Sequence, residues 1–214
     1  MALGLNLSSG GGNYLPICKF DCRAGRMFKS DKVDGSWNQV DITKNFKAVM
    51  DLENVEVGWI KFDGGAPDFV MNHISEGLPE KPSDMHRQGV RLVIKLNKSC
   101  GGDVRELAGN AKALLAGVDA LHDLYEEGLV NNKGKLPVVA LADTVAVSTG
   151  EGATKSTNYR PVFEITGWVD RPDDLVPSSR PSSSPKVKAS APTTGSTKVS
   201  APKAVIADDD EDFG

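Results

Sequence analysis

One stretch of this chain has the spacing of a helix, and it lies among stretches that alternate like strands. Leu107, Ala111, Leu114, Leu115, Val118, Leu121 and Tyr125 recur at helical intervals. Asp103 is placed to cap the start, with Glu106 three residues on, and Gly128 supplies a stop. Before the helix, residues 14–21 and 25–29 read as two short strands around a bend. Residues 46–52, 55–62 and 89–97 alternate apolar with polar side chains, the second ending at the turn signal Asp63-Gly64-Gly65. In the last, Val90, Leu92, Ile94 and Leu96 take one side, and Arg91, Val93 and Lys95 the other. Residues 72–88, with Pro79 and Pro82, read as a long loop. After the helix, residues 136–149 and 159–169 are two more strands. Several strands, one helix and two final strands exclude a doubly wound parallel sheet and an all-helical bundle. The order predicts a mainly β fold with one helix, a small barrel of the OB-fold kind.

Composition bounds that barrel. After Trp168-Val169 the chain turns to Ser, Pro, Thr and Ala, and residues 178–207 hold no aromatic and no acid, but five basic side chains. Such a segment cannot bury enough apolar surface to offset an ordering entropy of about 1–2 kcal/mol per residue. The expected organisation is therefore a flexible N-terminus (1–13), a folded body (14–169), a disordered linker (170–207) and an acidic tip (208–214). Residues 170–214 carry 6 basic and 8 acidic side chains and the rest 19 and 21, so each part is net −2. Overall charge therefore argues neither for nor against a polyanionic ligand; its distribution must decide.

Three cysteines are too few for a disulfide framework, and the odd count suits reduced thiols in a cytoplasm-like compartment. The start lacks a signal-like pattern, and no apolar run approaches the roughly 20 residues of a membrane span. Cys18 and Cys22 lack a second ligand pair, so no metal site is expected. The loop Gly150-Glu151-Gly152-Ala153-Thr154-Lys155-Ser156 superficially resembles a phosphate-binding loop. It lacks the Gly before Lys-Ser and leads into a strand, without the helix N-terminus that would cradle phosphate. No nucleophile motif and no apolar-set carboxylate pair is present. Neither an enzyme nor a cofactor is expected.

Basic and aromatic residues, in contrast, interleave. Lys19, Arg23, Arg26, Phe28, Lys29 and Trp37 crowd the first strands and the loop after them; Trp59 and Lys61 share another strand. Arg91 and Lys95 occupy one strand face, and Tyr159-Arg160 opens the last strand. Cations that follow phosphates, with rings on which bases stack at about 1–3 kcal/mol each, are what a single-strand binder needs. The assignment is Lys19, Arg23, Arg26, Lys29, Lys61, Arg91, Lys95 and Arg160 to phosphates, and Phe28, Trp37, Trp59 and Tyr159 to stacking.

With its linker and the tip Asp208-Asp209-Asp210-Glu211-Asp212-Phe213, the chain resembles single-stranded DNA-binding proteins of the bacteriophage type. The likeness is architectural over the body and motif-level over those six residues. It implies a protein of the host cytoplasm that coats single-stranded DNA in replication, recombination and repair. In relatives the acidic, Phe-ended tip recruits partner proteins; here Gly214 follows Phe213, so the α-carboxylate is not on the aromatic residue. Self-association is compatible with this reading. RNA would be met by the same contacts. The reading from another class is a phage structural or adaptor protein whose barrel and tail serve only protein contacts.

Overall fold

The structure, a computed structural model, describes residues 15–62, 67–149, 151–152 and 155–176. The expected flexible N-terminus and most of the linker, with the tip Asp208–Phe213, lie outside them. Among the described residues the fold is mainly β with one helix, its strands joined in one mixed sheet. The strands are β1 (Ile17–Asp21), β2 (Arg26–Val33), β3 (Ser36–Asp41), β4 (Lys47–Met50), β5 (Glu56–Lys61), β6 (Asp68–His73), β7 (Arg87–Leu96), β8 (Val104–Gly109), β9 (Lys135–Thr149) and β10 (Ser156–Asp170), with helix α1 (Lys112–Leu129) between β8 and β9.

Strand β7 organises the sheet. One edge pairs with β8; the other pairs with β5 over Arg87–Arg91 and with β4 over Ile94–Leu96. Strands β4 and β5 are thus two halves of one bent strand, joined through the short turn Leu52–Asn54, where the Asp51 N–H donates to the Val93 carbonyl. The bend brings backbones close at Gly58, which pairs with Gly89 on one side and Met71 on the other. A Cβ at Gly58 would stand 2.1 Å from the Val70 carbonyl oxygen, so only glycine fits.

With β4–β5 as the first strand, β7, β8, α1, β9 and β10 follow the strand and helix order of an OB barrel. At the seam β8 pairs in parallel with β1, and the Tyr159 N–H of β10 donates to the Cys22 carbonyl just beyond β1 (2.6 Å). The barrel thus closes through the N-terminal hairpin. Its interior holds Val90, Leu92, Ile94, Leu96, Leu107, Met50, Val139 and Phe163, with Leu114, Val118, Leu121 and Tyr125 of α1 covering one end.

Three expectations need correction. The helix begins at Lys112, eight residues beyond Val104, because Val104–Gly109 pairs with β7 as a strand. Leu107 fits both periods, and pairing with a central strand overrides local helix signals. Asp103 caps nothing and instead binds Arg105 (2.6 Å); the Leu114 N–H is directed at the Cys22 thiol. Second, residues 30–41 form a hairpin instead of a loop. Its Asp34-Gly35 turn has φ of 49° and 81°, the left-handed pair that an Asp-Gly hairpin turn adopts. Third, the ordered body passes Val169. Leu175 is 1% exposed and packs with Val93 and Leu136, while Arg171 makes two hydrogen bonds to the fully buried Asp51 (2.7 and 2.8 Å).

The cysteines are packing residues. Burial pushes the Cys18 thiol up to about 12 and raises that of Cys22, so these two should resist alkylation at pH 8 until the chain unfolds, as mass spectrometry of iodoacetamide-treated protein would read. A chain ending at Val169 strands Asp51 without its arginine; it should unfold about 3 kcal/mol more easily than one ending at Val176, measured by urea denaturation.

Candidate functional site

A concavity of about 840 Å³ lies between two hairpins. Ile60 and Phe62 come from the end of β5, Met85 and Arg87 from the entry into β7, Val147, Asn158 and Arg160 from the β9–β10 hairpin, and residues 110–113 with Ala116 from the start of α1. Cys22 completes the lining, which among the described residues includes Arg87, Lys112 and Arg160 but no carboxylate. Among the described residues none of these three cations has an ion-pair partner. Phe62 is 59% exposed and Met85 63%. The groove therefore offers positive charge, one open ring and a flexible thioether on an acid-leaning chain.

Its walls are braced by polar contacts of the connection between β5 and β7. The Trp59 indole N–H donates to the Pro79 carbonyl (2.8 Å), and the Lys81 ammonium stands 5.7 Å from the centre of the Trp59 rings. Buried His86 lies between the Ser83 hydroxyl (2.8 Å) and the Asp68 carboxylate (3.2 Å), which ties the start of β7 to the start of β6. These contacts hold Met85 and Arg87 beside the β5–β6 hairpin.

The sequence-expected residues do not converge on one trough. Arg160 lines the groove. Lys61 lies between Ile60 and Phe62 on β5 and so faces the other side of the hairpin. Arg91 is 3% exposed, bound to Glu56 by two hydrogen bonds (2.5 and 2.9 Å) and 5.3 Å from the Phe69 ring centre. Lys95 binds Asp174 at 2.5 Å. Both were expected to meet phosphates; the face they occupy is instead covered by the β5–β6 hairpin and by residues 171–176. Trp59 is occupied by the Pro79–Lys81 contacts, and the Tyr159 ring abuts Gly25, whose added Cβ would stand 2.9 Å from it.

Lys19, Phe28 and Trp37 gather elsewhere, on one face of the β1–β2–β3 ribbon. Arg26 is there too but paired with Asp41 (2.9 Å), and Arg23 lies exposed in the β1–β2 turn, beside Cys22. Lys29 occupies the opposite face, 3.5 Å from Asp31. Sequence reasoning missed Arg87, Lys112 and Met85 altogether, because residues 72–88 read as loop and Lys112 as mid-helix. The one available signal was the run Met85-His86-Arg87, immediately ahead of a strand.

Known protein families, curated proteins and solved structures contain no match to this chain.

A clamp fixes the ribbon to the barrel. Arg105 of β8 is 2% exposed; it donates to the Ile17 and Ser30 carbonyls (3.3 and 3.0 Å) and pairs with Asp31 and Asp103. The Arg105 hydrogen bond is the main cause that holds the Asp31 carboxyl below the ordinary carboxylate range. Asp41 is lowered chiefly by the Thr43 hydroxyl and then by the Thr43 amide. A carboxylate whose pKa is depressed on folding stabilises above its unfolded value of about 4 and loses that contribution as pH falls through the folded value. The ribbon base should accordingly loosen below about pH 4, with amide exchange in residues 30–41 rising before that in β7. Arg105→Met at neutral pH should produce the same selective exposure.

Proposed function

We propose that the protein binds single-stranded DNA without acting on it chemically, with the strand held in the groove between the β5–β6 and β9–β10 hairpins. The observation that carries this reading is the groove lining: Arg87, Lys112 and Arg160 around exposed Phe62 and Met85, with no carboxylate among the described lining residues. Arginine and lysine neutralise phosphates, an open Phe ring stacks on a base whatever its identity, and Met adapts to irregular apolar surfaces. A ring can stack on a base only where that base is unpaired, which favours a single strand over a duplex. The location supports the same reading. OB barrels bind oligonucleotides across their second and third strands and the connections after the first and fourth; those two connections flank this groove.

The groove needs a polyanion that can reach it, and the acidic tip Asp208–Asp212 with Phe213 is a second anion carried on the same chain. We assign the tip two roles: competition for the groove when DNA is absent, and recruitment of replication or recombination proteins when DNA displaces it. Removing residues 208–214 should then tighten DNA binding, measured by anisotropy of labelled oligo-dT.

The direct test compares labelled oligo-dT with a duplex over a range of salt. Single strands should bind more tightly, with a log–log salt slope of about −0.7 for each phosphate neutralised. Arg160→Ala and Lys112→Ala should each weaken binding and flatten that slope by about 0.7. Equal affinity for duplex, or an Arg87/Lys112/Arg160 triple alanine variant that binds like the wild type, would overturn the assignment.

A further inference from the structure

The β2–β3 ribbon stands outside the five-strand barrel plan. Every residue of β3 is exposed, and β3 is the last strand of the sheet. Trp37 is 67% exposed there, so the ribbon presents a large ring that folding does not bury.

Pairing register defines which side chains share its free face. Lys19 stands opposite Phe28 across β1 and β2, Ser30 opposite Gln39 and Lys32 opposite Trp37 across β2 and β3. Residues opposite one another in an antiparallel ladder lie on the same face, and positions 28, 30 and 32 alternate onto that face together. Two cation–ring pairs, Lys19/Phe28 and Lys32/Trp37, are therefore aligned about 13 Å apart, at roughly 3.3 Å per residue. The acids on this face are already engaged: Asp21 accepts from the Arg23 and Ala24 amides, and Asp41 binds Arg26. Among the described residues no carboxylate lies within ion-pair distance of Lys19 or Lys32. The opposite face is tied down through Asp31 and the Ser30 carbonyl to buried Arg105. One side of the ribbon is anchored and the other is free.

The ribbon and the groove are also contiguous. Cys22, which lines the groove, begins the β1–β2 turn, and exposed Arg23 follows it toward Lys19 and Phe28.

We infer that the free face of this ribbon is a second contact for the same single strand, with Phe28 and Trp37 stacking on bases and Lys19, Arg23 and Lys32 meeting phosphates. It lengthens the footprint beyond the groove. The inference rests on the proposed single-strand binding and adds a separate site to it. Paired lysines beside one exposed ring, Trp37, and one half-buried ring, Phe28, select a polynucleotide as the occupant, since an apolar partner would leave both ammonium groups unmatched.

The experiment uses the full chain, its Trp37→Ala and Lys32→Ala variants, and Arg160→Ala as the groove control. Labelled oligo-dT of about 6 and about 30 nucleotides brackets the site size of one OB barrel. Trp37→Ala and Lys32→Ala should each weaken the long oligonucleotide at least about fivefold and leave the short one unchanged, while Arg160→Ala weakens both. Long oligo-dT should quench tryptophan fluorescence in the wild type and much less in Trp37→Ala, because Trp59 and Trp168 are engaged internally. Unchanged long-strand affinity in both ribbon variants overturns the second contact and leaves the groove reading standing, provided Arg160→Ala still weakens binding. A wild type that binds neither oligonucleotide overturns both. If sedimentation shows self-association that Trp37→Ala abolishes with DNA affinity unchanged, the ribbon is an interface between copies and the inference is wrong.

Discussion

Strand β7 carries neighbours on both edges and cover on both faces, and the geometry of the groove follows from that. Its alternate residues Val90, Leu92, Ile94 and Leu96 fill the barrel, as a two-residue period dictates. On the other face Arg91 and Val93 are buried as well, under the β5–β6 hairpin and the residues 171–176 respectively. One edge has to serve β4 and β5 in turn, so the first barrel strand must bend, and Gly58 against Gly89 lets it do so. The bend carries Ile60 and Phe62 to the mouth of the groove, where Arg87 at the start of β7 meets them.

The same constraint sorts the charges. A buried guanidinium without a partner loses several kcal/mol of solvation, so each arginine drawn into the structure is matched by acids. Arg91 takes Glu56, Arg105 takes Asp31 and Asp103, and Arg171 takes Asp51 and Glu53. These pairs consume carboxylates as well as arginines. What is left at the groove is Arg87, Lys112 and Arg160, with no acid among the described lining residues, so an acid-leaning body can still present a cationic cleft. Field lines from such a cleft are focused by its low-dielectric walls, which favours encounter with a polyanion.

The long alternating strands were legible in the sequence, as was the body of the helix, because each repeats its pattern over many residues. The β2–β3 hairpin reads as loop in the sequence, because its exposed strands carry too little apolar alternation to stand out and only Asp34-Gly35 marks its turn. The helix start was not legible either. Leu107 satisfies a helical and a strand spacing equally, and only pairing of Val104–Gly109 with β7 separates them. Of the basic and aromatic residues the sequence singles out, Lys19, Phe28 and Trp37 share the ribbon face and Arg160 alone lines the groove. Arg91 and Lys95 are singled out as well, and their side chains hold the structure together.

The fold class, the longer strands and the body of one helix are legible in the amino-acid sequence, as is its stock of cationic and aromatic side chains, since local periodicity and composition carry that information. Tertiary structure decided which cations remain in solvent and which are sealed against acids. That choice depends on what covers each strand face, and the covering segments, strands β5 and β6 and residues 171–176, come from outside the strand they cover.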